Sequence, residues 1–244
     1  MEYEIVGSNL QLAILQLNGG ETVYAEAGAM NHMTSNIDMH AKAKGGLVKG
    51  LKRRVGGESF FITEFTAQSD GSVAFGGNIP GRIEAIQVSP GNDFMGQKDA
   101  FLCAESSVDM DIAFTKKLGA GFFGGEGFIL QKYSGQGTVF VHACGDFINK
   151  DLEPGEVLKV DTGSVVGFDA SVSYDITRAG GIKTSLFGGE GIFLTTLTGP
   201  GRIIIQSLSI NNLAAALTPH LSFGDTGSSN SSSTSGRVRG RRGR

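Results

Sequence analysis

Apolar positions along this chain come in short runs separated by glycine-bearing turns. Leu10–Leu17 is nearly continuous apolar sequence and stops at Asn18-Gly19-Gly20-Glu21, after which Thr22–Ala25 resumes it. Ile86-Gln87-Val88 runs into Ser89-Pro90-Gly91-Asn92, and Leu152 runs into Glu153-Pro154-Gly155-Glu156 ahead of Val157–Val160. Runs of β-branched and aromatic residues bounded by such punctuation predict strands. Pro-Gly predicts a type II turn, in which Pro presets φ and Gly supplies the positive φ. No segment sustains an apolar stripe at helical spacing through three turns, so helix is expected to be minor.

Two motifs recur within this pattern. One is Gly-Gly-Glu followed by a small residue and an apolar run: GGESFFI at Gly56–Ile62, GGEGFIL at Gly124–Leu130 and GGEGIFL at Gly188–Leu194. The other is a Gly turn, a strand, an acid and a small residue, with Glu26 and Gly28, Glu105, and Asp161 and Gly163 at its acidic step. The motifs alternate, and Asp111/Asp175, Gly124/Gly188, Glu126/Glu190 and Gly137/Gly201 share one offset of 64 positions. Each Gly-Gly-Glu phrase precedes a second strand, at Ser72–Phe75, Thr138–Ala143 and Arg202–Ile205. Units of this length exceed solenoid repeats and predict three β modules. An all-β assembly closed around a pseudo-threefold axis follows as the expectation, because closure removes exposed sheet edges. The N-terminal strands would then complete the last module, with Leu10–Leu17 beside Ile203–Ile210.

Composition sharpens the boundaries. Glycine supplies 38 of 244 residues, without the strict period of collagen. Residues 222–244 are mostly Ser, Gly, Asn and Thr, with Phe223 near the start, and end in Arg237, Arg239, Arg241, Arg242 and Arg244, a composition that cannot bury a core. One β domain over 1–221 and a disordered tail over 222–244 are expected. The whole chain has 21 Lys and Arg against 24 Asp and Glu; without the tail's five Arg and Asp225 the body holds 16 and 23, a net −7. An acidic body argues against a broad nucleic-acid face, while the Arg-Gly tail suits weak, salt-dependent polyanion binding. Met1–Gly7 has no apolar core and reads as neither signal nor transit peptide. Ile203–Gly224 is uncharged, but its Gln, Ser, Asn, Thr and His residues make membrane insertion costly. A cytoplasmic protein with peripheral contact at a membrane is the expectation. Cys103 and Cys144 read as buried free thiols, with a single disulfide as the alternative.

Candidate chemistry is sparse. Glu58, Glu126 and Glu190, with Gly56, Gly57, Gly124, Gly125, Gly188 and Gly189, would hold a cation only if symmetry brought them together. Glycines in strands usually mark bulges, and acids before small residues cap turns, so the repeated acids read as architecture. His32, His40, His142 and His220 show no metal-ligand spacing, and no nucleophile elbow or phosphate loop occurs. No cofactor and no catalysis are expected. The segments entering the Gly-Gly-Glu phrases combine glycine, cations and apolar residues: Leu47, Leu51, Lys52 and Arg53, then Lys116, Lys117, Phe122 and Phe123, then Lys183, Leu186 and Phe187. Apolar tips rimmed by cations suit a membrane surface or a protein partner. The alternative is ordinary hairpins whose apolar residues fold back onto the core or onto a second subunit.

Ala25-Glu26-Ala27-Gly28-Ala29-Met30, the three Gly-Gly-Glu phrases and the Pro-Gly turns together resemble the altered-inheritance-of-mitochondria protein 24 family, over about Tyr3–Leu208. The resemblance implies a double-stranded β-helix type of fold near the trp RNA-binding attenuation protein in classification. It implies association with the mitochondrial inner membrane in the eukaryotic branch, and supplies no catalytic residues to transfer. A non-catalytic β-scaffold or interaction protein, membrane-associated and oligomeric, is therefore expected. A nucleic-acid binder using the tail and a cupin-like metal or small-ligand binder remain as alternatives.

Overall fold

The computed structural model describes residues 1–43, 61–116, 127–178 and 193–221. Nineteen strands and one short helix account for most of them. A lead strand, β1 (Glu2–Val6), is followed by three sets of six. The first set is β2 (Leu12–Leu17), β3 (Thr22–Glu26), β4 (Met30–Met33), β5 (Ile37–Ala43), β6 (Phe61–Ala67) and β7 (Gly71–Gly76). The second is β8 (Gly81–Val88), β9 (Phe94–Gln97), β10 (Phe101–Glu105), β11 (Val108–Lys116), β12 (Phe128–Gly135) and β13 (Gly137–Cys144). The third is β14 (Phe147–Leu152), β15 (Val157–Asp161), β16 (Val165–Asp169), β17 (Ser173–Arg178), β18 (Phe193–Thr198) and β19 (Gly201–Gln206), and α1 (Ile210–Leu217) follows.

The ladders repeat with the sequence. In every set the first and third strands flank the sixth, as β2 and β4 flank β7, β8 and β10 flank β13, and β14 and β16 flank β19. The second and fourth flank the fifth, around β6, β12 and β18. Each third strand carries a register shift against its sixth, between Met30 and His32, Phe101 and Cys103, and Val165 and Gly167. A bulge at one recurring place bends each strand in the same sense and belongs to the design of the repeat. The punctuation behaves as its residue types require. Asn92 N donates to Ser89 O at 2.8 Å across Pro90-Gly91, with Gly91 at φ +83°.

Neighbouring repeats join through their sheets. The third strand of one repeat pairs with the second strand of the preceding one, β10 with β3 and β16 with β9. Each joint fuses two half-sheets into a six-stranded antiparallel sheet. The corresponding pair at the remaining position, β4 and β15, forms no ladder. The sheets ending there have four strands (β1-β2-β7-β4) and three (β15-β18-β17). The sequence predicts a closed assembly; the described sheets are all open, and the opening lies at this one joint. β1 pairs with β2, β2 pairs in turn with β7 of the same repeat, and no described ladder joins β1 or β2 to β18 or β19.

Three apolar clusters hold the sheets together. The central one draws on all three repeats, with Tyr24, Phe94, Phe101, Tyr133, Val166 and Ile204. Phe101 stacks on Tyr133 at 5.8 Å and on Tyr24 at 5.7 Å, which ties the first joint to the second repeat. Each such ring contributes on the order of 2–3 kcal/mol by leaving water. The flanking clusters centre on Leu15, Phe65 and Phe75 on one side and on Phe128, Phe168 and Leu197 on the other. The repeat starts also touch: Leu10 bridges Gly81 and Gly81 bridges Gly145, both in parallel. A Cβ on Gly81 would stand 1.6 Å from the Ala143 carbonyl oxygen, so only glycine fits this crossing.

Candidate functional site

The three Gly-Gly-Glu triplets, with Glu58, Glu126 and Glu190, lie outside the described residues. So do Leu47, Leu51, Lys52, Arg53, Lys117, Phe122, Phe123, Lys183, Leu186, Phe187 and the arginines of 222–244. Their attachment points are described. Residues 44–60 connect β5 to β6, 117–126 lead from β11 toward β12, and 179–192 connect β17 to β18, so all three join the fourth and fifth strands of a repeat. The ladders run out to Ala43↔Phe61, Lys116↔Phe128 and Arg178↔Phe193. Near these ends two of the hairpins meet. Lys116 Nζ donates to the Ile176 carbonyl oxygen, and Phe114 meets Tyr174 edge-on at 5.5 Å. Lys116 is thereby engaged with the neighbouring repeat.

The acids of the turn motif are placed, and they do not form one equivalent set. Glu26, Gln97 and Asp161 each end the second strand of a repeat. The Gln97 side chain accepts from Asp99 N at 2.6 Å and the Asp161 carboxylate from Gly163 N at 2.8 Å, each capping the short turn into the third strand. In the first repeat the same turn is closed by the backbone, Ala29 N to Glu26 O at 3.1 Å, with Gly28 at φ +90°. Glu26 is left partly buried without that capping geometry. Burial, with Asp99 adding repulsion and Lys98 opposing it, pushes its pKa from 4.5 up to about 7.

Glu105 sits elsewhere, at the end of a third strand. Its carboxylate accepts from Thr138 N at 3.2 Å and from the Thr138 hydroxyl at 2.7 Å. Asp169 in the third repeat accepts from Arg202 N at 2.9 Å, and the Thr34 hydroxyl in the first accepts from Ser72 N at 3.1 Å. Thr34, Glu105 and Asp169 are thus the equivalent set, each fastening the start of a sixth strand. Reading the motif from sequence missed Gln97 and Asp169. The signal for both was present, since Gln97/Asp161 and Glu105/Asp169 stand at the same 64-residue offset as the other repeat pairs.

A cleft of about 210 Å³ opens at the boundary of the first two repeats, lined by Gln11, Met30, Asn31, Asn78, Ile79 and His142 among others. A tighter cavity shares Ile79 and His142 in its lining and adds Gln97, Asp99, Gln206 and Ser209. Burial lowers the His142 pKa, against an opposing hydrogen bond with the Ile79 backbone, so the ring is neutral at pH 7. Gln206 in the second cavity is occupied with backbone: its carbonyl accepts from Cys144 N at 2.8 Å and its amide donates to Gly163 O at 2.8 Å. Cys103 and Cys144 are free and buried, and burial pushes both thiols up, away from the reactive thiolate. No group of three or more His, Cys, Asp or Glu side chains able to hold a metal occurs among the described residues. No helix among them is long and apolar enough to cross a membrane.

Comparison with known proteins adds three findings. The family model described as mitochondrial biogenesis AIM24 matches residues 3–208. A Streptococcus pyogenes serotype M6 protein described as uncharacterised is 31% identical over 218 residues, 86% of each chain. A crystal structure of a Streptococcus pyogenes protein superposes with a TM-score of 0.74 at 28% identity, covering 90% of this chain and 99% of that one.

Proposed function

The chain belongs to the mitochondrial biogenesis AIM24 family, and from that premise we propose that it is a non-catalytic β-scaffold working by contact with a membrane surface. Three modules repeat one ladder pattern, their starts touch at Leu10, Gly81 and Gly145, and one joint is open. The segments 44–60, 117–126 and 179–192, which join the fourth and fifth strands, hold seven of the chain's 21 Lys and Arg together with Leu47, Leu51, Phe122, Phe123, Leu186 and Phe187. The observation that supports this reading is the meeting of the second and third hairpins at Lys116, Phe114, Tyr174 and Ile176, next to where 117–126 and 179–192 depart. The described ends of these two hairpins therefore stand beside each other. The segment 44–60 together with Lys42 supplies six Lys and Arg against the single Glu58. That excess opposes the acidic body and suits an anionic bilayer, to which each cation near the surface adds about 1 kcal/mol. Apolar neighbours such as Phe122 and Phe123 would add burial at the acyl boundary.

Flotation with phosphatidylserine/phosphatidylcholine vesicles tests this reading. Wild type is expected to float with the vesicles, and Phe122→Asp/Phe123→Asp, folded by circular dichroism, to stay behind. Failure of both proteins to float would remove the membrane from the account.

A further inference from the structure

The chain builds the same joint twice. β10 pairs with β3 through Cys103↔Ala25, Ala104↔Tyr24 and Glu105↔Val23, and β16 pairs with β9 through Gly167↔Gly96, Phe168↔Met95 and Asp169↔Phe94. Strands in these joints are covered: every residue of β9 is buried, as are all but the last of β10 and β16 and the inner three of β3. The equivalent strands at the open joint are not. β4 has Asn31 and His32 exposed and Met30 and Met33 half-buried, and β15 has Val157, Lys159 and Asp161 exposed. No described strand pairs with the outer edge of either, and none of the described turn and loop backbone hydrogen bonds involves residues 30–33 or 157–161. Val157, at 54% exposure, is among the most exposed large apolar residues described.

An uncovered sheet edge is a template for another strand. What these two edges fit is defined by the chain itself. The free third strand lacks a second strand from a preceding repeat, and the free second strand lacks a third strand from a following one. We propose that β4 of one copy pairs with β15 of a second copy, so that the protein assembles head to tail through the joint its own repeats already use twice. Carrying the register across places His32 opposite Val160, Met33 opposite Lys159 and Thr34 opposite Leu158. The apolar Met30 and Met33 then meet the strand that carries Val157 and Leu158. A heterologous contact of this kind either closes a ring or propagates, and two copies are the smallest assembly in which both edges are used. The inference concerns sheet edges, not the hairpin tips, and stands independently of membrane contact.

Disulfide trapping tests it. Residues directly opposite in an antiparallel ladder have Cβ atoms about 4.5–5.5 Å apart, close enough to bridge with slight adjustment. Met33→Cys and Lys159→Cys are made separately, checked for wild-type circular dichroism, mixed and oxidised mildly. Cys103 and Cys144 are buried and stay out of the reaction. The expected result is a covalent dimer in the mixture, at least several-fold above either variant alone. The double variant distinguishes the rival arrangement. A bridge formed within one chain, with none between mixed chains, would show that β4 and β15 close on each other and would overturn the proposal. So would the absence of any bridge in either sample.

Discussion

Glu26 sits where folding disfavours its charge. Its counterparts Gln97 and Asp161 cap the following turn, whereas Glu26 has a backbone-closed turn at Gly28 and sits partly buried beside Asp99. An acid whose pKa rises from 4.5 to about 7 on folding holds its proton more tightly in the folded state. Its stabilising contribution is complete below pH 4.5 and is lost as pH rises through 7. Glu26→Gln places the second repeat's own residue type there and removes the titration. The variant is expected to gain about 1–2 kcal/mol over wild type at pH 8, discounted for partial exposure, and much less at pH 5. Thermal unfolding at the two pH values measures this, and an equal effect at both would contradict the assignment.

At the scale of elements, the strand-end acceptors decide how each sixth strand begins. Asp169 supplies one such bond, to Arg202 N, and Glu105 two, both to Thr138. Asp169→Ala and Glu105→Ala are each expected to cost about 1–2 kcal/mol in denaturant unfolding, since a half-buried N–H loses a charged partner. A change under a few tenths would assign these acids elsewhere. The sequence made the strands legible because glycine turns interrupt β-branched runs: the runs before and after Asn18–Glu21 became β2 and β3, and Gly71, Gly137 and Gly201 each open a sixth strand. Equivalence was harder to read. After Pro90-Gly91 the chain inserts β9, a four-residue strand carrying Gly96, which offers little periodicity, and the motif was matched instead to β10. That displacement set Glu105 beside Asp161 and hid Gln97 and Asp169. The joints between repeats were illegible for a different reason. Pairing across repeats depends on which strands the bulges bring edge to edge, and one sequence position says nothing of that. His142 stood alone in sequence and gained its cleft through contact with the β7–β8 connection at Ile79.

For the whole molecule, three copies of one ladder pattern give two completed sheets and one divided between β4 and β15. This accounts for why four of the six strands at the joint positions are covered and two are not. The two proposals rest on different parts of the chain, membrane contact on the segments joining the fourth and fifth strands and self-association on the edges of β4 and β15. A scaffold uses both if assembly multiplies weak tip contacts, since linked sites raise avidity without new contacts. The most direct measurement is light scattering on the eluting protein across a dilution series. The account expects a mass of at least twice the 25.5 kDa chain that falls toward the single-chain value on dilution. A mass of 25.5 kDa at every concentration would contradict it.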